Sequence, residues 1–136
     1  MIQSLVDYWQ SRQDLRRETA FMTSLLESVT DLIFMKDAKG IYMTCNKMFA
    51  QYAGLEPDEI IGGADCAFLP EERCQVYLAQ DRQVMREGKP LTYREEVKRP
   101  DGSPCLLETV KSPVYSAAGE CIGLIGIGRD IADRVG

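Results

Sequence analysis

Along the last third of the chain, apolar positions alternate with polar ones or run together in three stretches, Leu91–Arg99, Cys105–Tyr115 and Cys121–Ile131. Asp101-Gly102 divides the first pair of stretches and Ala118-Gly119 divides the second. Asp-Gly between alternating segments marks a hairpin, because tight turns need a positive φ that Gly adopts freely and Asp tolerates. The pattern predicts a three-stranded antiparallel meander. Asp31–Asp37 and Ile41–Cys45, on either side of Ala38-Lys39-Gly40, predict a second hairpin upstream.

Between the two sheets' worth of strands the period changes to that of helices. Asn46 is placed as an N-cap for a helix over Lys47–Ala53, ended by Gly54. Pro57 opens a short helix to Ile61 that stops at Gly62-Gly63, and Pro70 opens a longer one to Glu87, closed by Gly88. Glu71 and Glu72 suit its N-terminal dipole, and Val76, Tyr77, Val84 and Met85 recur at helical spacing. Met1 to about Thr30 holds no Gly or Pro and predicts one long helix with a broken seven-residue repeat. Met1, Tyr8, Leu15, Met22 and Val29 share one position, Leu5 and Leu26 the position four residues on, and Arg12 and Thr19 interrupt that second seam. Two readings follow: a helix that pairs with a second copy, or an amphipathic helix packed on its own domain; both hold together if the first half projects and Phe21–Val29 packs onto the core. Two strands, helices, then three strands make an α+β domain.

Composition narrows the function classes. The chain has 136 residues, 45% hydrophobic and 27% charged, the profile of one folded domain with an appended helix. A net charge of −5 argues against a nucleic-acid or anionic-membrane surface. No apolar run approaches the roughly 20 residues that span a bilayer, and the N-terminus lacks the layout of a secretory signal, so a soluble, cytoplasmic segment without direct membrane contact is expected. Its five cysteines, Cys45, Cys66, Cys74, Cys105 and Cys121, are odd in number and show no C-x-x-C spacing. Buried free thiols are expected from them, not a disulfide framework or a zinc site.

Histidine is absent, which removes the commonest general base, metal ligand and axial haem ligand together. The acidic pairs Asp58-Glu59, Glu71-Glu72 and Glu95-Glu96 read as helix starts and a solvated strand face, not as catalytic carboxylates. Gly123, Gly126 and Gly128 fall inside the last strand, where they either expose backbone to a ligand or let helices pack closely. No enzymatic activity, metal or haem is expected of this segment.

Four stretches carry a resemblance to the PAS sensory-domain family over about Leu25–Arg134. They are Leu26-Glu27-Ser28 through Asp31–Asp37; Asn46-Lys47-Met48-Phe49 ahead of Gly54; Glu59-Ile60-Ile61-Gly62; and Arg99-Pro100-Asp101-Gly102 with Gly126–Ile131. The resemblance implies a five-stranded antiparallel sheet of order 2-1-5-4-3 with small helices enclosing a pocket on one face. It divides the chain into an N-terminal helix, residues 1–24, and a PAS domain, residues 25–134. It further implies a module that detects a small ligand or a redox change and relays it to an output domain, such as a histidine kinase or a cyclic-dinucleotide enzyme. A ligand-free dimerisation or interaction module is the alternative.

Gly63–Leu69 is similar to the segment of the flavin-binding light-sensing subfamily in which a cysteine adds to the flavin, and Cys66 falls at the reactive position. Asp65 and Ala67 stand where that subfamily has Asn and Arg, and Val97, Leu107 and Gly128 occupy its flavin-amide positions. Buried flavin heteroatoms without partners cost about 1–3 kcal/mol each. No flavin is therefore expected, and Cys66 is left as a candidate redox thiol.

Strand parity then sets the pocket candidates: Tyr93, Glu95, Val97, Cys105, Leu107, Thr109, Leu124, Gly126 and Gly128 from the sheet, and Phe49, Tyr52, Phe68 and Tyr77 from the helices. Such a lining suits an unidentified small, largely apolar or amphipathic molecule. Asp130 matches the family's coupling residue at the end of the last strand, whereas Ala132 lacks the hydroxyl the family has there. The expected partners are a second copy through the N-terminal helix and an output domain in a longer parent chain.

Overall fold

The computed structural model describes residues 1–131, so Ala132 and the expected domain end at Arg134 lie outside the described residues. The chain divides into two compact units, Met1–Thr30 and the remainder from Asp31. The first is a single helix, α1 (Ile2–Ser28). Along it Leu5, Tyr8, Leu15, Phe21, Met22 and Leu25 are exposed, whereas Leu26 of the repeat is buried. No helix among the described residues is long and apolar enough to cross a membrane.

The second unit runs β1 (Leu32–Asp37), β2 (Tyr42–Cys45), α2 (Lys47–Ala53), α3 (Pro57–Ile60), a single 3-10 turn (Asp65–Ala67), α4 (Glu71–Glu87), β3 (Leu91–Lys98), β4 (Pro104–Tyr115) and β5 (Cys121–Asp130). The sheet has five strands in the order β2-β1-β5-β4-β3, with every neighbouring pair antiparallel. The 3-10 turn was not foreseen; it closes at Phe68, and Pro70 acts as the N-cap of α4, not as its first residue.

Local chemistry explains these boundaries. Asn46 is 1% exposed, and its side-chain oxygen accepts from Phe49 N at 3.0 Å and from Ile33 N at 3.1 Å, so one residue caps α2 and continues the β1 ladder. Glu56 and Glu59 form a reciprocal capping box at α3 with Pro57 at its first turn. The β3–β4 hairpin is longer than a two-residue turn: Arg99 N donates to Ser103 O at 2.8 Å and Gly102 N to Arg99 O at 2.8 Å. Only Gly102 takes a positive φ (86°) there, while the Asp101 carboxylate accepts from Ser103 N and Oγ. Asp101 thus serves the loop as an acceptor.

Packing gathers on one face of the sheet. Phe34, Tyr42, Cys45, Ala50, Ile60 and Leu124 make one buried cluster, with Phe49, Leu55 and Phe68 against it. Leu32, Cys105 and Leu107 make a second, with Met48, Phe49, Tyr52 and Val97. Phe49 joins the two and lines a space between α2, α4 and the sheet.

Candidate functional site

Cross-strand register lines up the side chains that face the helices. Phe34 of β1 lies opposite Gly126 of β5, and Gly126 lies opposite Lys111 of β4. One row along, Leu32, Gly128, Thr109 and Tyr93 stand side by side across four strands. A Cβ on Gly126 would overlap the Phe34 ring, so the glycine is what lets that ring lie across β5. Phe34 thereby comes to 5.9 Å from the Lys111 ammonium, measured to the ring centroid.

Above these rows is a cavity of about 600 Å³, within the range of small-molecule sites. Phe49, Tyr52, Phe68 and Tyr77 from the helical side line it, as do Tyr93, Glu95, Val97, Leu107 and Thr109 from the sheet. Four other pocket candidates are not on its wall. Cys105 and Leu124 are buried in the two core clusters, covered by neighbouring side chains. Gly126 and Gly128 have no side chain to present, and Phe34 and Thr109 occupy the space over them. Glu95 corrects the reading of Glu95-Glu96 as a purely solvated pair: β3 alternates, Glu95 turns inward, and its carboxylate accepts from Tyr77 Oη at 2.7 Å.

The least anticipated part is ionic. Lys36 and Lys111 line the cavity at 2% and 4% exposure. Lys36 Nζ is 2.6 Å from Asp65 Oδ2 and 2.8 Å from Asp81 Oδ2, and Lys111 Nζ is 2.7 Å from Asp81 Oδ1. Tyr42 Oη completes the group by donating to Asp65 Oδ1 at 2.5 Å. Asp65 comes from the 3-10 turn and Asp81 from the buried face of α4, so two helical segments each place a carboxylate against strand lysines. Burial pulls the Lys111 ammonium below the ordinary lysine value, and the Asp81 carboxylate pulls it part of the way back.

The tyrosines around the cavity are held protonated. Burial raises Tyr42, with the Asp65 charge and hydrogen bond adding to it; burial and then Glu95 raise Tyr77. Tyr52 is pushed up to about 12, chiefly by burial, and Tyr93 is raised by the same cause. An unfolded tyrosine ionises near pH 10. Above that pH the unfolded chain has lost protons that the folded chain keeps, so these groups' contribution to stability is complete below about pH 10 and is lost as pH rises through the folded values. Near-ultraviolet titration should therefore show these four phenols ionising late and together with unfolding. Ionisation of all of them near pH 10 in folded protein would contradict the assignment.

At the edge of the cavity, Tyr52 Oη lies 3.4 Å from Asp130 Oδ2 and 3.8 Å from Cys105 Sγ. Arg99 clamps the same carboxylate, with Nε at 2.8 Å and Nη2 at 2.7 Å from Oδ2, and its Nη1 donates to Pro104 O at 2.6 Å. The hydrogen bond to Asp130 raises the Arg99 pKa further above its ordinary value. Asp130 therefore ties the end of β5 to the β3–β4 loop and to a cavity tyrosine.

Cys66 and Cys74 correct the expectation of five free thiols. They are joined in a disulfide with Cα atoms 5.2 Å apart, inside the range a disulfide spans. The 3-10 turn and the bend at Pro70 bring Cys66 back onto the first turn of α4, a proximity that spacing alone does not reveal. Cys66 is thus a half-cystine and not an isolated thiol, while Cys45, Cys105 and Cys121 are free.

Comparison with known proteins agrees with this architecture. The aerobic respiration control sensor protein ArcB of Escherichia coli (strain K12) is 27% identical over 118 residues, which is 87% of this chain and 15% of ArcB. A diguanylate cyclase of Vibrio cholerae is 28% identical over 105 residues, 76% of this chain and 33% of that protein. The chain thus spans a third or less of the length of these relatives. Among solved structures, the PAS domain of Bordetella pertussis BvgS superposes with a TM-score of 0.72 at 21% identity, covering 88% of this chain and 90% of that one. The family model for the PAS fold matches residues 26–136. Five strands in the order 2-1-5-4-3, small helices over one face and a family match from residue 26 onward make this chain a member of the PAS-fold family.

Proposed function

We propose that this domain is the sensory input module of a larger signalling protein and that the cavity between α2, α4 and the sheet is its ligand site. One observation carries the reading: a 600 Å³ space, walled by aromatic rings, has two nearly inaccessible lysines in its lining. Buried ion pairs are costly to assemble and seldom favour stability over an apolar core, so their place in a ligand-sized cavity points to use. ArcB is a sensor protein, which supports a signalling role, and the other relative is a diguanylate cyclase, which supports a cyclic-dinucleotide enzyme as the output domain; a histidine kinase is the second output proposed. The domain itself has no catalytic role in this reading, and its setting is cytoplasmic.

Native mass spectrometry of freshly purified protein tests the proposal. A retained small molecule, or a mass shift on incubation with a metabolite extract, is the expected result. Empty protein indifferent to such extracts would favour a ligand-free interaction module instead.

The N-terminal segment, residues 1–24, is proposed to pair with the same helix of a second copy. Its exposed apolar positions Leu5, Tyr8, Leu15 and Met22 follow the seven-residue repeat of a two-helix seam. A monomer by sedimentation at high micromolar concentration would refute this. Asp130 is proposed as the relay, because its carboxylate meets both Tyr52 at the cavity and Arg99 at the β3–β4 loop. Asp130→Ala in the parent protein is expected to leave ligand retention largely intact while output no longer follows the stimulus; normally regulated output would remove Asp130 from the pathway.

A further inference from the structure

The hydrogen-bonding inventory of the cavity limits what can occupy it. A lysine ammonium carries three N–H donors. Lys36 gives two of them to Asp65 and Asp81, and its ammonium otherwise faces the Tyr42 ring, 4.7 Å from the centroid. Lys111 gives one to Asp81 and otherwise faces the rings of Tyr77 at 5.1 Å and Tyr93 at 5.7 Å. Both carboxylates are already engaged: Asp65 by Lys36 and Tyr42, Asp81 by Lys36 and Lys111. Among the described residues the floor of the cavity therefore has donors to spare, and only aromatic faces to receive them.

Its charge, however, is balanced. Two ammonium groups meet two carboxylates at the floor. Over the rest of the lining, Arg73 and Lys98 are matched in number by Glu95 and Glu96. A charged ligand would lose its hydration without gaining a net opposite charge, a large uncompensated cost. An uncharged acceptor avoids that cost and takes up the spare N–H groups. The lining is rich in rings, so a flat ring system is the body that suits it.

We infer that the cavity selects an uncharged, planar ring compound of one or two rings whose carbonyl- or amide-type acceptor is held by Lys111, with Lys36 as the second donor. This rests on the reading of the cavity as a ligand site and adds the chemical class. It excludes carboxylates and amines of the same shape as preferred occupants.

Two matched series test it on the full 136-residue chain. Benzamide, benzoate and benzylamine share one ring, and nicotinamide, nicotinate and 3-aminomethylpyridine share another; within each set the ring is kept while the substituent is a neutral amide, an anionic carboxylate or a cationic aminomethyl group without an acceptor. Titration followed by NMR should give the amides a Kd lower by about tenfold or more than the matching acid, which brings an uncompensated charge, and than the amine, which brings a charge and lacks the acceptor. In the doubly substituted Asp81→Asn/Lys111→Met protein, which keeps the charge balanced, amide affinity should fall by about tenfold. Tighter binding of the acids or amines would overturn the class while leaving the ligand-site reading in place. Binding of none of the six would overturn both. Amide binding unchanged in the double variant would remove Lys111 as the recognising group, whereas the charge series in the unsubstituted protein stands on its own should that variant fail to fold.

Discussion

Asp81→Ala is expected to destabilise the domain by about 3–5 kcal/mol, the cost of stripping a buried charge of its partner. Among the described residues Asp81 is the carboxylate shared by both buried lysines, at 2.8 Å from Lys36 and 2.7 Å from Lys111. Without it Lys36 keeps Asp65, but Lys111 keeps only ring faces. The sign of the pH dependence follows. Burial already places the Lys111 pKa below the ordinary lysine value, and removing the partner that raises it lowers it further. Between the folded and unfolded values the unfolded chain binds the extra proton, so the variant should gain stability as pH rises through the folded value. Urea denaturation at successive pH values measures this. Adding Lys111→Met to Asp81→Ala should restore most of the loss, because the unpaired charge is then gone. A single variant as stable as the parent protein would mean that the ion pairs are not buried as described.

Gly126→Ala should cost about 1–3 kcal/mol, the usual range for adding a methyl group where no space exists. The added Cβ would overlap the Phe34 ring, which lies directly opposite in the β1–β5 ladder. The ring must leave its position, and since it lines the cavity, ligand retention should fall together with stability. Phe34→Leu in the Gly126→Ala background is expected to recover part of the stability without recovering retention. Additive effects of the two substitutions in denaturation would show that the residues do not meet.

Much of the fold was legible because β3, β4 and β5 are consecutive and obey a period of two. The alternation that turns Tyr93, Glu95 and Val97 inward also turns Leu107 and Thr109 inward, and all five line the cavity. The same parity reaches Lys111, two residues beyond Thr109, yet a lysine at the inner face is implausible until its partner is known. That partner, Asp81, is 30 residues away on a helix whose rotation about its axis is set by packing. Asp65 and Lys36 are 29 residues apart, and Cys66 meets Cys74 only because an unforeseen 3-10 turn precedes the bend at Pro70. Local pattern places each of these residues on an element; it does not say which elements face each other. Gly126 is a related case: its position within a strand is plain, but whether a ring or a ligand fills the space above it depends on the register with Phe34.

The hydrogen bond from Tyr52 to Asp130 has a thermodynamic counterpart. Coupling free energies between two sites are reciprocal, so if filling the cavity changes how Asp130 is held, whatever grips the chain beyond Asp130 changes the cavity's affinity by the same factor. The isolated domain and the same domain joined to the proposed output domain would then be two different receptors, with one set of contacts and two dissociation constants. Their ratio would measure how strongly the output domain prefers one setting of the Asp130–Arg99 clamp.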